Sequence, residues 1–456
     1  MSRVLIVGGS DAGISAALRI RELDARVDVT VLLADAYPGY SICGLPFFLS
    51  GEVADWRALA HHTTEDLERK GVRLLLEHRA EELDVERKVV RVASADGRVR
   101  DVPYDRLLIA TGAQSTRPRI EGLDRAGVFF LRWMSDGLAM RRFIEQENPR
   151  RAVIVGGGYI GLELADALTR RGLQVTLLEY APEILTTFDA ALGHLVRMEL
   201  ESRGVEVATG QAVQSLQRDA GALRVQTASG ESWQAEMVLV VVGVTPDSRL
   251  ARTAGIATSA AGAIQVDRTM ATGIPGIWAA GDCAATWHHI LEADVYMPLG
   301  TTAHKQGRVA GENMVGGKCE FNGTLGTQAV KVFDLVAAGT GLRDSQAVKA
   351  GYHPLTTSVT VPDHNPYYAG SADITVAVTG DTETGRLLGA QLVGRHSAEV
   401  SKRVDVVAAA LFAGLRVESL CDMDLSYTPP LSTPWDPVQK AAVQWCSLCP
   451  KPDRAP

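Results

Sequence analysis

Cysteine is scarce in this sequence. The 456 residues contain six, at positions 43, 283, 319, 421, 446 and 449, which is too few for a disulfide scaffold. No run approaches the 18 or more apolar residues that a membrane-spanning helix needs. The opening MSRVLIVGGSDAG has no charged segment followed by a long apolar one, so it indicates a strand and not a signal peptide. These absences predict a cytoplasmic protein with reduced thiols and no membrane partner.

Strong charge of either sign is also missing. The formal net charge is −8, and the sequence is 46% apolar and 22% charged, which is ordinary for a globular protein. This balance gives no reason to expect nucleic acid or an anionic membrane as a partner. A chain of this length exceeds a single hydrophobic core, so we expect two to four domains.

Two segments of the sequence follow one pattern. RVLIVGGSDAG (3–13) precedes a helical stretch and the strand VDVTVLL, which ends near Asp35; RAVIVGGGYIG (151–161) precedes a helical stretch and LQVTLLE, which ends at Glu179. Glycines let the backbone approach a pyrophosphate, the helix N-terminus supplies N–H groups, and the acid can bind ribose hydroxyls. Two such units predict two dinucleotides, a flavin and a nicotinamide.

The second unit is the more complete of the two. It matches GxGxxG at Gly156, Gly158 and Gly161, whereas in the first unit Ser10 replaces the middle glycine and Asp35 comes late. Glu179 would repel a 2′-phosphate, and residues 180–182 (Tyr-Ala-Pro) contain no arginine to bind one. NADH is therefore favoured over NADPH.

Three further segments suit a flavin. They are YDRLLIATGA (104–113), VLVVVGVTPDS (238–248) and TGIPGIWAAGDCA (272–284), the last followed by the helical TTAHKQGRVAGENM (301–314). Asp282, at the end of a strand, could hold the ribityl hydroxyls. The helix that follows could direct its positive end at the flavin pyrimidine edge.

In this order the segments resemble the pyridine nucleotide–disulfide oxidoreductase superfamily, over essentially the whole chain. The resemblance implies an α/β fold with two Rossmann-like dinucleotide-binding domains of three-layer sandwich architecture and a C-terminal α+β dimerisation domain. The implied bounds are 1–113 and 244–325 for a discontinuous FAD domain, 114–243 for the NAD(P)H domain and 326–456 for the C-terminal domain.

The same resemblance implies the cofactor contacts, with no metal site. FAD contacts are expected at Gly8, Gly9, Ser10, Gly13, Asp35, Ala110, Thr111, Gly112, Gly281, Asp282, Thr302 and Ala303. Contacts to NADH (or NADPH) are expected at Gly156, Gly158, Tyr159, Ile160, Gly161, Glu163, Glu179 and Gly243. Glu163 matches a family glutamate close to flavin and nicotinamide; the alternative is a solvated acid on a helix surface.

Cys43 lies in YSICGLPFFLSGEV (40–53). Typical superfamily members carry CxxxxC, but here the second position is Phe48. Residues 43–46 resemble the single-cysteine branch, which contains coenzyme A-disulfide reductases, coenzyme A-dependent persulfide or polysulfide reductases, and NADH oxidases and peroxidases. This implies a redox-active Cys43 at a helix start beside the flavin, with a lowered pKa. The alternative is a buried structural thiol.

Two positions help to distinguish the members of this single-cysteine branch. NADH oxidases and peroxidases carry a histidine in the first glycine loop, where this chain has Asp11, so reduction of oxygen or peroxide is less favoured. Coenzyme A-disulfide reductases use two tyrosines, one of which reaches the partner subunit's site. Tyr427 matches well, and Tyr367 or Tyr368 is the other candidate; the alternative is that all three are interface core aromatics.

The remaining polar groups are open to more than one interpretation. Cys446-x-x-Cys449 could shuttle electrons to the partner's Cys43, form half of a zinc site, or be an incidental chain end. Five basic side chains could bind an anionic substrate such as coenzyme A, or could simply be solvated on the surface. They are Arg57, His61, His62, Lys305 and Arg308.

The sequence thus predicts a homodimeric FAD enzyme that passes electrons from NADH to Cys43. Its substrate would be a small disulfide, persulfide or polysulfide, with coenzyme A species as the leading candidates. The alternatives are an NADH oxidase or peroxidase, and a non-catalytic, NADH-responsive flavoprotein sensor.

Overall fold

This computed structural model describes residues 2–219 and 221–449. A first sheet has five parallel strands in the order Ile277–Ala279, Arg106–Ile109, Arg3–Val7, Asp28–Leu32 and Val72–Leu75. Most residues in these strands are Val, Ile or Leu because both faces of the sheet are covered. Helices Asp11–Leu23 and Gly300–Asn313 cover one face; on the other lies an antiparallel sheet of His78–Asp84, Val89–Ser94 and Val99–Pro103.

A second sheet repeats this arrangement. Its parallel strands are, in order, Glu206–Ala208, Gln174–Leu178, Arg151–Val155, Met237–Val240 and Val128–Phe129. Helices Met134–Glu147, Tyr159–Arg170 and Ala190–Ser202 share one core with this sheet. The other face packs on an antiparallel sheet of Val213–Asp219, Ala222–Thr227 and Ser232–Ala235. Two three-layer sandwiches result.

The third sheet is antiparallel. Its order is Gln328–Val332, Leu335–Gly341, Leu387–Arg395, Asp373–Asp381 and Pro354–Pro362. Four helices accompany it: Asp344–Lys349, Val400–Phe412, Val417–Cys421 and Pro437–Leu448. Most of its core is Val, Leu and Ala from both sheet and helices. The predicted fold class, two Rossmann-like units followed by an α+β unit, is confirmed.

Short elements connect the three units. An antiparallel pair, Ala113–Ser115 with Val244–Pro246, lies between the first and second sheets along the chain. A second small pair is Thr286–His288 with Ala293–Val295. The other helical segments are Ile42–Gly44, Leu45–Ser50, Trp56–Leu59, Thr64–Arg69, Arg249–Thr253 and His396–Ala398. Across residues 2–219 and 221–449, no helix has both the length and the apolar character needed to cross a membrane.

Candidate active site

The first glycine loop is packed too closely to admit a side chain at Gly8 or at Gly13. Gly8 follows the first strand with φ +118°, and a Cβ on it would lie 2.0 Å from the carbonyl oxygen of Ala110. A Cβ on Gly13 would lie 1.9 Å from the Gly8 oxygen. Ser10 is the N-cap residue of helix Asp11–Leu23, but its hydroxyl caps no N–H group. A tightly packed helix start whose N–H groups have no side-chain cap fits a dinucleotide pyrophosphate.

The turn after strand Ile277–Ala279 carries the predicted flavin acid. The Gly281 N–H donates to Gln306 Oε1 at 2.8 Å, which fixes the turn. Arg132 donates from Nη2 to Asp282 Oδ2 at 2.7 Å and from Nε to the Ala113 oxygen at 3.1 Å. Close by, the Tyr296 hydroxyl is buried without a hydrogen-bond partner among the described residues, and burial raises its pKa. An orphaned hydroxyl beside these charges fits a polar cofactor such as FAD.

The other predicted flavin contacts lie in turns and a helix start. The Gly9 carbonyl accepts from Gly39 N at 2.9 Å, and Asp35 Oδ1 accepts from Tyr37 N at 3.1 Å. Burial raises the pKa of Asp35. Thr111 Oγ1 donates to the Asp247 oxygen at 2.5 Å, and Asp247 N donates to the Gly112 oxygen at 2.9 Å. The buried Thr302 and Ala303 lie in the first turn of helix Gly300–Asn313, which has no side-chain cap.

Glu179 accepts two backbone hydrogen bonds, one of them from the second glycine loop. Glu179 Oε2 accepts from Gly157 N at 2.6 Å, and Oε1 accepts from Ala181 N at 2.7 Å. No ion pair joins Glu179 to a cation within the described chain. Gly158, the N-cap residue of helix Tyr159–Arg170, has open space where a Cβ would lie. Gly243 follows strand Met237–Val240 and is exposed. The loop therefore fits a nicotinamide dinucleotide with a free 2′-hydroxyl.

Helix Tyr159–Arg170 also carries an acid with altered titration. Burial, and then Asp166, raise the pKa of Glu163 to about 7, whereas Lys331 opposes this. Lys331 belongs to strand Gln328–Val332 of the third sheet, so the sequence pattern did not connect it with this site. At the start of the helix, Thr187 Oγ1 donates to the Tyr159 hydroxyl at 3.1 Å, and Ile160 packs against the core.

Cys43 lies in the short turn Ile42–Gly44, directly before helix Leu45–Ser50. Its side chain is exposed, which contradicts the alternative of a buried structural thiol. Phe48, at the position of the usual second cysteine, is 5% exposed and belongs to the core of the second unit. An aromatic core residue thus occupies the place of a partner thiol.

The charges around Cys43 come from both nucleotide-binding units. Protein atoms around the Cys43 thiol desolvate it, which raises its pKa although the side chain stays exposed. The carboxylates of Asp11, Glu163 and Asp282 raise the pKa of Cys43 further, whereas Arg132 lowers it. The expected lowering of the pKa is therefore wrong for the groups that this chain itself provides. Desolvation is the largest cause of the raised pKa, and the helix after Cys43 has only six residues.

A histidine lies beside Asp11 after all. His304 Nε2 is 3.4 Å from Asp11 Oδ1, and His304 Nδ1 is 2.8 Å from Ser15 Oγ. The His61 ring lies 6.3 Å from the His304 ring. Sequence reasoning examined only the first loop and missed His304 in AHKQGR of the distant helix. Because that helix follows the flavin acid Asp282 along the chain, the sequence did offer a signal that His304 could lie near the flavin site.

The other members of the predicted basic group do not gather at this place. Arg57 pairs with Asp55 at 3.3 Å, and Arg308 with Glu22 at 3.6 Å. Lys305 is exposed and His62 is half-buried. Of the five residues in this group, only His61 has a ring contact with His304, the histidine that faces Asp11. The structure thus offers no single cationic pocket formed by these side chains.

The two tyrosine segments do come together. Asn365 Nδ2 donates to the Tyr427 hydroxyl at 3.0 Å, and desolvation followed by a hydrogen bond with Tyr427 raises the pKa of Tyr367. Tyr368 instead packs edge-on against the His364 ring, with centroids 6.0 Å apart. Tyr367 and Tyr427 are 75% and 47% exposed, which is unlike core aromatics of a single chain. No hydrogen bond or ring contact joins them to Cys43 within one described chain.

The C-terminal CxxC lies near a third cysteine, Cys421. Cys446 lies in helix Pro437–Leu448, with its sulfur 3.8 Å from that of Cys421. Burial raises the pKa of Cys446 to about 12, which disfavours the thiolate needed for exchange. Cys449 is the C-cap residue of the helix. No group of three or more candidate ligands able to hold a metal ion occurs in the part of the chain that the structure describes.

Two family models match this chain. The first, described as "Pyridine nucleotide-disulphide oxidoreductase", matches residues 2–307. The second, "Pyridine nucleotide-disulphide oxidoreductase, dimerisation domain", matches residues 327–437. The chain belongs to the pyridine nucleotide-disulphide oxidoreductase family. This membership confirms the prediction of an oxidoreductase with the family's cofactors, FAD and NADH, and leaves the non-catalytic sensor without support.

Individual relatives extend over nearly the whole chain. It is 35% identical to a "NAD(P)H sulfur oxidoreductase (CoA-dependent)" of Pyrococcus abyssi, covering 95% of this chain and 96% of that protein. It is 32% identical to an "NADH oxidase" of Methanocaldococcus jannaschii (96% and 98% covered) and 28% identical to a "Coenzyme A disulfide reductase" of Staphylococcus haemolyticus (96% and 98%). The solved "NAD-Dependent Persulfide Reductase from A. fulgidus" is 35% identical, with a TM-score of 0.93 and 98% and 83% of the chains covered.

Proposed function

We propose that this protein reduces a small disulfide, persulfide or polysulfide at Cys43 with electrons from NADH, and that coenzyme A species are its main substrates. The observation that carries the proposal is a lone accessible thiol, with Phe48 in place of a second one, amid charges from both nucleotide-binding units. Because it has no neighbouring thiol, Cys43 can form a mixed disulfide only with an external sulfur. The names of the sulfur and coenzyme A reductases among its relatives support the same substrates.

The proposed chemistry begins when the Cys43 thiolate attacks one sulfur of the substrate. A bond from Cys43 to that sulfur forms, the substrate's S–S bond breaks, and the other sulfur leaves as a thiolate that takes up a proton. FAD, when bound by the first unit, supplies the transfer of two electrons from NADH that cleaves the mixed disulfide. Asp282, Arg132 and the first glycine loop would hold it there, and the second loop with Glu179 would hold NADH.

We further propose a homodimer in which Tyr367 and Tyr427 face the partner's site. Support comes from their exposure, from the contact between their loops and from the match of residues 327–437 to the dimerisation model. A phenol there could donate a proton to the leaving sulfur. The domain bounds 1–113 with 244–325, 114–243 and 326–456, and the cytoplasmic location, remain parts of this proposal.

A substrate panel tests the proposed function. The holoenzyme is assayed with NADH and with NADPH against coenzyme A disulfide, coenzyme A persulfide, glutathione disulfide, polysulfide, peroxide and oxygen. We expect the coenzyme A sulfur species to give the highest kcat/KM with NADH. Glutathione disulfide turning over as fast as the coenzyme A species would remove coenzyme A from the proposal, and failure of every sulfur substrate would refute it.

Exchanging the ribose acid tests the choice of nicotinamide. Glu179→Gln removes the negative charge but keeps one acceptor oxygen for the loop. We expect about a tenfold rise in KM for NADH, since a charged hydrogen bond to the ribose is lost, and a fall in KM for NADPH. Glu183→Gln is the matched control, because the Glu183 carboxylate pairs with Arg197 at 3.3 Å. An unchanged ratio of the two KM values in Glu179→Gln would contradict this role.

Reduction of oxygen or peroxide is a second candidate function. The observation that favours it is His304 at 3.4 Å from Asp11, because it provides a histidine where the first loop has none. A relative named NADH oxidase adds support. Oxygen uptake with NADH alone, measured by electrode at rates that match sulfur turnover, would establish this function; uptake below about a hundredth of that rate would exclude it as the main activity.

A further inference from the structure

The third unit contains a pair of thiols that the proposed reaction at Cys43 does not use. Cys421 ends helix Val417–Cys421, and Cys446 lies in helix Pro437–Leu448. Their sulfur atoms are 3.8 Å apart, which is hydrogen-bond contact for two thiols. Both residues are partly exposed at the edge of the core of that unit, so a small molecule in solution can reach them.

Contacts next to the two sulfur atoms hold their helices in place. Gln439, in the helix that carries Cys446, donates from Nε2 to the Cys421 oxygen at 3.1 Å. Trp445, the neighbour of Cys446, is 2% exposed and donates from Nε1 to the Leu355 oxygen at 2.7 Å. A disulfide places its sulfur atoms about 2 Å apart, so the two atoms need to approach by less than about 2 Å. The helices therefore present the thiols ready for pairing.

The two thiols differ in how readily they ionise. Burial raises the pKa of Cys421, but the hydrogen bond from Cys446 opposes this rise. Burial, followed by the effect of Cys421, raises the pKa of Cys446 to about 12. Cys446 therefore keeps its proton and donates it in the hydrogen bond. Cys421 is the sulfur that first becomes a thiolate and attacks.

We infer that Cys421 and Cys446 form a second thiol–disulfide site, separate from Cys43, at which a small disulfide oxidises the two thiols to an intramolecular disulfide. The Cys421 thiolate attacks one sulfur of the small disulfide, whose S–S bond breaks, and the first small thiolate leaves and takes up a proton. The Cys446 sulfur then attacks the Cys421 sulfur and loses its proton. The bond to the small sulfur breaks, and the second small thiolate leaves and takes up a proton. The two cysteines lose two electrons, and the small disulfide gains them.

A neighbouring thiol distinguishes this site from Cys43. Because Phe48 occupies the place of a second thiol near Cys43, a mixed disulfide there needs electrons from the flavin, whereas at Cys421 the sulfur of Cys446 resolves it. The inference is therefore independent of the proposed function at Cys43. The new bond would close residues 422–445, which include Tyr427, into a covalent loop.

Peptide mapping of the wild-type holoenzyme tests the pairing. The reduced protein is incubated with glutathione disulfide at about pH 8 without NADH, where thiolates form more readily. Its remaining thiols are blocked with N-ethylmaleimide before digestion with trypsin. The digest places Cys421 in peptide 417–440, and Cys446 together with Cys449 in peptide 441–454. We expect mass spectrometry to show these two peptides mostly as one disulfide-linked species, which a dithiol separates.

Matched variants identify the sulfur atoms that pair. Cys449→Ser should still give the linked species. Cys446→Ser should give none, and its peptide 417–440 should carry glutathione instead, because the resolving sulfur is missing. Cys43→Ser should give the linked species at close to the wild-type rate, because neither Cys43 nor the flavin takes part.

Three results would overturn the inference. If peptide 417–440 carries N-ethylmaleimide while peptide 441–454 is lighter by two hydrogens, the oxidised pair is Cys446 with Cys449. If both peptides carry only N-ethylmaleimide, the thiols are inert toward small disulfides. If the Cys43→Ser protein forms no linked species, the C-terminal thiols are oxidised through Cys43 and are not a separate site.

Discussion

Cys43→Ser should abolish turnover of disulfides and persulfides, with kcat/KM at least about a thousandfold below the wild-type value. A serine hydroxyl cannot form a mixed disulfide, so no covalent step with the substrate sulfur remains. The two nucleotide-binding loops do not contain this residue, and NADH should still bleach the flavin absorbance at close to the normal rate. Stopped-flow absorbance and steady-state assays of the same preparation measure the two rates.

Cys319→Ser is the matched control for this experiment. Cys319 is half-buried on the core of the first unit and donates its backbone N–H to Asn313 Oδ1 at 2.8 Å. Its exchange should leave both rates within about twofold of wild type. Full disulfide turnover by the Cys43→Ser protein would exclude the proposed mechanism. Loss of flavin reduction in that protein would mean that Cys43 has a structural role in the cofactor sites.

Gly161→Ala should disrupt the second nucleotide-binding unit. Its Cβ would lie 1.9 Å from the Gly156 oxygen, a backbone atom that cannot rotate away, so helix Tyr159–Arg170 would have to move off the sheet. We expect the free energy of unfolding to fall by about 3 kcal/mol. NADH-dependent turnover should fall by about a hundredfold, because the helix start no longer meets the pyrophosphate. Thermal unfolding and NADH titration measure the two effects.

Gly158→Ala, in the same loop, separates binding from folding. Its φ is −82° and nothing lies within 4 Å of the new Cβ, so the unfolding midpoint should stay within about a degree of wild type. The methyl group would nevertheless stand at the helix start where the pyrophosphate approaches, and KM for NADH should rise. A Gly161→Ala protein as stable as Gly158→Ala would contradict the packing argument.

Much of the site could be predicted because its signals are local. A strand that runs into Gly8 or Gly156, followed by a helix, is readable in about a dozen residues, and this pattern determines both fold class and cofactors. The motif around Cys43 is equally compact. The choice between Tyr367 and Tyr368 was not local, because it depends on Tyr427, which is distant in sequence but joined to the same loop through Asn365.

The arrangement of charges around the thiol was beyond sequence reasoning. Arg132 acts on the Cys43 thiol, Lys331 acts on Glu163 and His304 lies against Asp11, and these three residues belong to separate parts of the chain. The pKa of Cys43 was therefore predicted in the wrong direction: the short helix at its side was visible, but the desolvation of the thiol and the proximity of the three carboxylates to it were not. A Coulomb interaction depends on distance in space, which the order of residues does not give.

The sequence by itself determined the two nucleotide loops, the lone thiol and the family, because each depends on residues adjacent along the chain. Only the tertiary structure decided which acids and bases surround Cys43 and which tyrosine pairs with Tyr427. The physical reason is that ionisation and proton transfer depend on distances of a few ångströms between side chains from separate helices and sheets, and packing alone establishes those distances.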